Sequence, residues 1–120
     1  MQSPVKDKSF MFAVEIIKFC TKLKKEDKEY VLWDQLMKSG TSIWANIAEW
    51  QSGQSKRDFL AKMHISLKES KETDYRLDLL RECWNFNHRL DDIMLLKNQN
   101  LELIKMLTSI TKTTVSNISD

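Results

Sequence analysis

Apolar residues recur at three- and four-residue steps along most of the chain, and this spacing predicts four helices. The predicted helices span residues 4–25, 30–50, 55–84 and 90–115. The apolar stripe of the first helix, with its flanking residues, contains Phe10, Ala13, Val14, Ile16, Ile17, Cys20 or Thr21, and Leu23. Because short connections favour antiparallel neighbours, the sequence predicts a single all-α domain, an up-and-down four-helix bundle.

Capping residues mark two of the predicted helix starts. Ser3 followed by Pro4 is typical of a first helical turn, although Asp7 or Ser9 could also begin that helix. Ser55 with Asp58 three residues later resembles a capping box. Turns are predicted at residues 51–54 and 85–88, and the polar tail 113–120 is expected to fray.

The second helix carries two apolar stripes, whereas a helix buried on one side carries one. The first stripe contains Leu32, Leu36, Ser39, Ile43 and Ile47, and the second contains Trp33, Met37, Gly40, Trp44 and Ala48. We therefore expect this helix to contact both its own bundle and something else. The run from Ser39 to Ser42 has low helix propensity and predicts either a kink or a close backbone approach.

Composition fits this architecture and argues against several functions. The 120 residues include two glycines and one proline, too few for a turn-rich sheet protein. The net charge of +2 does not by itself indicate a nucleic-acid-binding protein. Basic residues alternate with acids along the chain, which favours an ordinary protein surface over an RNA-binding face. If nucleic acid is bound, the candidate contacts are Lys22, Lys24, Lys25, Lys56 and Arg57. No window is apolar enough to span a membrane.

The sequence offers little catalytic or metal-binding chemistry. Cys20 and Cys83 could form a disulfide or a redox pair. We favour the alternative, in which both are small buried apolar residues of a protein in the reducing cytosol. Cys20, His64, Cys83 and His88 are scattered, and the pair of Cys83 and His88 alone is a weak indication of a zinc site. Di-iron bundles need a histidine three residues after a glutamate, and none follows any glutamate in this way. We expect no cofactor and no metal, and the N-terminus does not resemble a signal peptide.

A set of polar residues at helical spacing allows two interpretations. Asn46 and Glu49 are three apart near the end of the second helix, and Glu69, Glu72 and Tyr75 follow three-residue steps on the third. They form a ligand or partner site in one interpretation and solvated helix faces in the other, which we favour. Across the turn, the expected neighbours of the first pair are Arg57, Leu60 and His64.

The residues themselves resemble a known family. The segments that carry the resemblance are Tyr30-Val31-Leu32, Gln35 to Ile43, Ala45 to Glu49, Gln54 to Met63, Leu67-Lys68-Glu69, Glu72 to Tyr75 and Leu103 to Ile110. They are similar to the bacterial four-helix-bundle proteins encoded in intervening sequences of 23S rRNA genes. The most specific segment begins at Ser39 and ends at Glu49.

The resemblance implies an antiparallel four-helix bundle that assembles as a homopentamer. It also implies a relationship to accessory proteins of diversity-generating retroelements, which are basic pentamers that bind a reverse transcriptase and nucleic acid. It implies no catalytic residue, because the family has no established enzymatic activity. We expect a cytoplasmic, non-enzymatic protein whose partners are copies of itself, with RNA or a nucleic-acid-processing protein as a further partner.

Three tryptophans depart from the pattern of the family. Trp44 and Trp50 stand where the family commonly has small residues, and Trp33 stands where a small or polar residue is expected. Trp33 and Trp44 are about three helical turns apart and so share a face. The residues predicted to form the oligomer or partner interface are Trp33, Met37, Gly40, Trp44, Ala48 and Trp50.

Overall fold

The computed structural model of the protein describes residues 3–50 and 54–118. Its helices are α1 (Pro4–Lys25), α2 (Val31–Glu49), α3 (Lys56–Glu82) and α4 (Leu90–Ile118), with a short 3-10 helix, Trp84–Arg89, before α4. Helices adjacent in sequence pack against each other, and α1 closes the bundle by a less extensive contact with α4. The bundle is 52 Å long. The prediction of an all-α up-and-down four-helix bundle is confirmed.

Local side-chain chemistry sets the starts of α1 and α3. The Ser3 hydroxyl accepts a hydrogen bond from the backbone N–H of Lys6, and Pro4 occupies the first turn of α1. At α3, the Ser55 hydroxyl accepts from the Asp58 N–H at 3.1 Å, and the Asp58 carboxylate accepts from the Ser55 N–H. Both predicted caps are therefore present. Most of the turn predicted at 51–54 lies outside the described residues.

The third connection and the C-terminal helix are more helical than predicted. Where the sequence indicated a simple turn, residues Trp84–Arg89 form a 3-10 helix that brings Phe86 into the core. The tail was expected to fray from residue 113, but α4 continues to Ile118. Thr111 and Thr114 are buried. The Thr114 hydroxyl donates to the Ile110 carbonyl at 2.7 Å, and this hydrogen bond allows a polar side chain to be buried there.

The core of α1 contains part of the stripe that the sequence predicted. The side chains fully buried from α1 include Phe12, Ile16, Phe19, Cys20 and Leu23. Two members of the predicted stripe, by contrast, remain accessible: Phe10 is 48% exposed and Ile17 is 45% exposed. Apolar side chains cover more than one face of α1, so periodicity alone could not select the face that packs inward.

Small hydroxyl residues replace large apolar ones along the centre of α3. Ser66, Ser70 and Thr73 are each 0% exposed. The Ser66 hydroxyl donates to the Ile43 carbonyl at 3.0 Å, and the Thr73 hydroxyl donates to Ser39 at 3.0 Å. These bonds explain why the apolar stripe weakens there: the helix is buried through satisfied hydroxyls, which cost little when every donor has an acceptor.

Candidate interaction surface

The contact between α1 and α2 depends on a glycine. A Cβ atom at Gly40 would lie 2.8 Å from Cγ2 of Ile16, closer than carbon atoms normally approach. Residues Val31–Glu49 form one uninterrupted helix, so the low-propensity run around Gly40 permits a close approach and does not break the helix. The absence of a side chain at this position lets α2 pack tightly on α1.

Aromatic side chains flank this contact on its outer side. The rings of Phe10 and Trp44 meet edge to face, with centroids 5.5 Å apart and planes at 68°. The ammonium group of Lys24 lies 4.6 Å from the ring centroid of Trp33. We define the α1–α2 face as Phe10, Val14, Ile17, Trp33, Met37, Trp44 and Ala48. It is an apolar strip, half-buried to exposed, shared by two helices.

The predicted interface residues of α2 are partly covered, and three of them contact α1. Gly40 is buried against α1, and Trp33, Met37, Trp44 and Ala48 are half-buried. The second stripe of α2, which was expected to lie against something outside its own bundle, contacts α1 through Gly40 and Trp44. The more exposed apolar side chains belong to α1, where Phe10 and Ile17 are members of the predicted stripe.

Trp50 lies apart from this face, at the end of the bundle where α2 stops and α3 begins. Its ring is 36% exposed and meets Phe59 edge to face, with centroids 5.2 Å apart. Trp50 and Trp44 are therefore separate features, although the sequence analysis grouped them in one interface.

The predicted nucleic-acid contacts separate into two groups. Lys22, Lys24 and Lys25 lie in the last turn of α1, whereas Lys56 and Arg57 lie in the first turn of α3. Antiparallel packing puts these groups at opposite ends of a bundle 52 Å long. Lys22 is 3.5 Å from the Asp92 carboxylate, so its charge is partly compensated. One chain therefore does not combine the five residues in a single patch.

The polar residues near the α2–α3 turn make local contacts. Glu49 pairs with Lys62 rather than with the neighbours that were expected. The Asn46 amide donates to the Ser42 carbonyl within α2 at 2.9 Å. These contacts fit the interpretation of these residues as helix-face residues.

The largest charged cluster between α3 and α4 was not found by sequence reasoning. The ammonium group of Lys97 lies 2.8 Å from Asp74 and 2.6 Å from Asp78, and its side chain is 9% exposed. Burial by itself would lower the pKa of Lys97, but the hydrogen bonds and charges of the two aspartates outweigh burial and raise it. Lys97 therefore remains charged and joins the two helices.

A second cluster missed by sequence reasoning closes the opposite end of the bundle from Trp50. Asp27 lies 3.1 Å from Nε of Arg89 and 2.8 Å from Nε2 of His88, and Arg89 also pairs with Glu26. Burial would raise the pKa of Asp27, yet the hydrogen bonds from Arg89 and His88 prevail and lower it. These partners are about sixty residues apart, and no local pattern links them.

The remaining candidates for chemistry do not converge. His64 is exposed on α3, and both cysteines are free. Burial raises the pKa of the Cys20 thiol to about 12, which keeps it protonated and unreactive. Within residues 3–50 and 54–118, no group of three or more histidine, cysteine, aspartate or glutamate side chains could hold a metal ion. In the same part of the chain, every helix is too short or too polar to cross a bilayer.

Fold and surface together define a class of protein: a small antiparallel four-helix bundle with an aromatic strip on the outside of its first helix pair. The profile of the 23S rRNA-intervening sequence proteins matches residues 1–109, and the chain belongs to this family. A crystal structure of a protein of unknown function from the S23 ribosomal protein family of Bacteroides thetaiotaomicron is similar to it. That protein is 42% identical with a TM-score of 0.83, and the alignment covers 90% of this chain and 98% of that one. The comparison with curated proteins found no match.

Proposed function

We propose that this protein works by self-assembly, as a homopentamer whose subunits associate through the α1–α2 face, and that the assembly serves as a binding or scaffold protein. The observation that carries the proposal is the exposure of Phe10 beside the half-buried ring of Trp44, with Ile17 also exposed on α1. Contiguous apolar patches on a protein surface mark sites where another surface excludes water. The family resemblance supports the number five.

The aromatic composition of the face also favours a protein partner. Aromatic side chains and methionine are enriched at the centres of protein interfaces, where charged residues are depleted. Phe10, Trp44 and Met37 provide this composition, and the two rings already hold each other edge to face. A second copy could therefore cover a preformed surface, without loss of side-chain freedom at these positions.

Light scattering on the purified chain tests the proposal. A homopentamer has five times the 14.2 kDa chain mass, about 71 kDa. Size-exclusion chromatography with light scattering at micromolar concentration is expected to give this value. A single species of one chain mass at that concentration would overturn the proposal.

A second candidate function is RNA or ribonucleoprotein binding through a basic face of the oligomer. The observation in its favour is the outer side of α3, where Lys68, Lys71 and Tyr75 border a shallow depression together with one acidic residue, Glu72, and Tyr75 is 64% exposed. Cations that contact phosphates, together with a ring that stacks on bases, are the usual elements of single-strand recognition. A ring of subunits would repeat this side of α3 around the assembly.

Binding to a structured RNA with single-stranded loops tests this second function. The affinity should fall steeply with salt, and Tyr75→Ala should weaken binding about tenfold through lost stacking. Tyr30→Ala is the matched control, because Tyr30 is similarly exposed at the start of α2. Absence of binding at low salt would eliminate this candidate without affecting the self-assembly proposal.

A further inference from the structure

The end of the bundle that contains Trp50 holds a cavity of about 710 Å³. Its floor is apolar: Val5, Ile47 and Met63 line it and are each at most 6% exposed. Trp50 and Phe59 form part of its wall through their edge-to-face contact. Volume and lining are within the range of pockets that bind small organic molecules.

The rim of this cavity is positively charged. Lys6 and Lys56 line it and are both exposed, and none of its described lining residues is acidic. In the described part of the chain these two lysines have no carboxylate partner, unlike Lys8, Lys62 and Lys97. The N-terminal ends of α1 and α3 lie at this end of the bundle together with the C-terminal ends of α2 and α4, so the helix dipoles largely cancel and the two lysines make the rim positive.

The depth of the cavity and the positive charge of its rim together indicate which class of ligand would fit. Lys56 and Met63 are seven residues apart on α3, so the cavity extends about 10 Å from rim to floor at the rise of an α-helix. We propose that this end cavity binds a small amphipathic carboxylate, whose apolar chain reaches Met63 while its carboxylate lies between Lys6 and Lys56. The site is separate from the α1–α2 face and does not depend on assembly.

Octanoate is a suitable probe because it combines one carboxylate with a short apolar chain. In full-length protein with ¹³C-methyl-labelled methionine, Met63 reports on the cavity floor, and Met94, which is 37% exposed on α4, is the internal control. Octanoate should shift the Met63 methyl signal saturably, at one ligand per chain, and leave Met94 unchanged. Octan-1-ol should bind at least about fivefold more weakly, because it lacks the charge.

The double variant Lys6→Gln, Lys56→Gln tests the rim. It should weaken octanoate binding about fivefold, the effect expected from two exposed ion pairs. The matched control is Lys25→Gln, Lys71→Gln, which removes two equally exposed lysines elsewhere. Three results would each overturn the proposal: no shift of Met63, parallel unsaturable shifts of Met63 and Met94, or equal octanoate affinity in both double variants.

Discussion

The α1–α2 contact and the α3–α4 contact each join two neighbouring antiparallel helices, but they do so with different side chains. Between α1 and α2 the backbones approach at Gly40, and the aromatic pair of Phe10 and Trp44 borders the contact on the outside. Between α3 and α4 the contact is polar: the Ser70 hydroxyl donates to Asn100, and Lys97 joins two aspartates. One contact is apolar and open at its edge, and the other contains hydrogen-bonded and ion-paired polar side chains.

This difference indicates where the chain has capacity for a partner. A hydrogen-bonded polar group gains little from further burial, because its donors and acceptors are already used. An exposed aromatic ring gains free energy from every additional area that is removed from water. The hydrogen-bonded residues between α3 and α4 therefore offer little to a partner, whereas the rings of the α1–α2 face can still be covered.

The largest expected effect on stability is on the polar side. Asn100 is 0% exposed and exchanges two hydrogen bonds with Ser70. Asn100→Ala removes both bonds and leaves the Ser70 groups buried, so the free energy of unfolding should fall by about 3 kcal/mol. Asn98→Ala, at an exposed neighbouring position, is the control and should change it by less than about 0.5 kcal/mol. Equal effects in urea denaturation would show that the buried bond is unimportant.

A smaller effect on the free energy of unfolding is expected in the apolar α1–α2 contact, and its sign tests how closely the two helices approach. Alanine normally stabilises a helix relative to glycine by about 1 kcal/mol. At Gly40 the added Cβ would contact the buried side chain of Ile16, and such overpacking costs about 1–3 kcal/mol. Gly40→Ala should therefore lower the free energy of unfolding by about 1 kcal/mol. A gain in thermal or urea stability would contradict the close approach of α1 and α2.

The smallest expected effect is on the pH dependence of the free energy of unfolding, and it concerns Lys97 in the α3–α4 contact. The pKa of Lys97 is raised in the folded protein, so its contribution is complete below the ordinary lysine pKa of 10.5 and is lost as the pH rises through the folded value. The difference in free energy of unfolding between the wild-type chain and Lys97→Met should shrink above pH 10.5. A difference that stays constant up to pH 12 (about the limit for this titration) would contradict this assignment of the ion pair.

Local features of the fold could be predicted from the sequence, and features that depend on distant contacts could not. Ser55 and Asp58 identified the start of α3, because a capping box involves residues only three positions apart. Helical spacing placed Phe10 and Ile17 on the apolar stripe of α1, but spacing shows only that a stripe is apolar and not which neighbour covers it. The 3-10 helix around Phe86 depends on tertiary packing, which no local motif encodes.

The candidate sites follow the same rule. The tryptophans of α2 were identified as unusual from their residue type alone, and Gly40 from its low helix propensity. The contribution of α1 to the same face required the structure, because Phe10 meets Trp44 across thirty-four positions of sequence. The contacts of Asp27 with Arg89 and of Lys97 with Asp74 depend in the same way on how the helices pack.

The central claim is that copies of this chain associate through the α1–α2 face, and native mass spectrometry of two matched variants tests it most directly. Phe10→Glu places a charge on that face, and Ile65→Glu places one on α3 at a residue of similar exposure, 42% against 48%. We expect the wild-type chain and Ile65→Glu to be pentamers and Phe10→Glu to yield single chains. Pentamers in both variants, or loss of the pentamer only in Ile65→Glu, would contradict it.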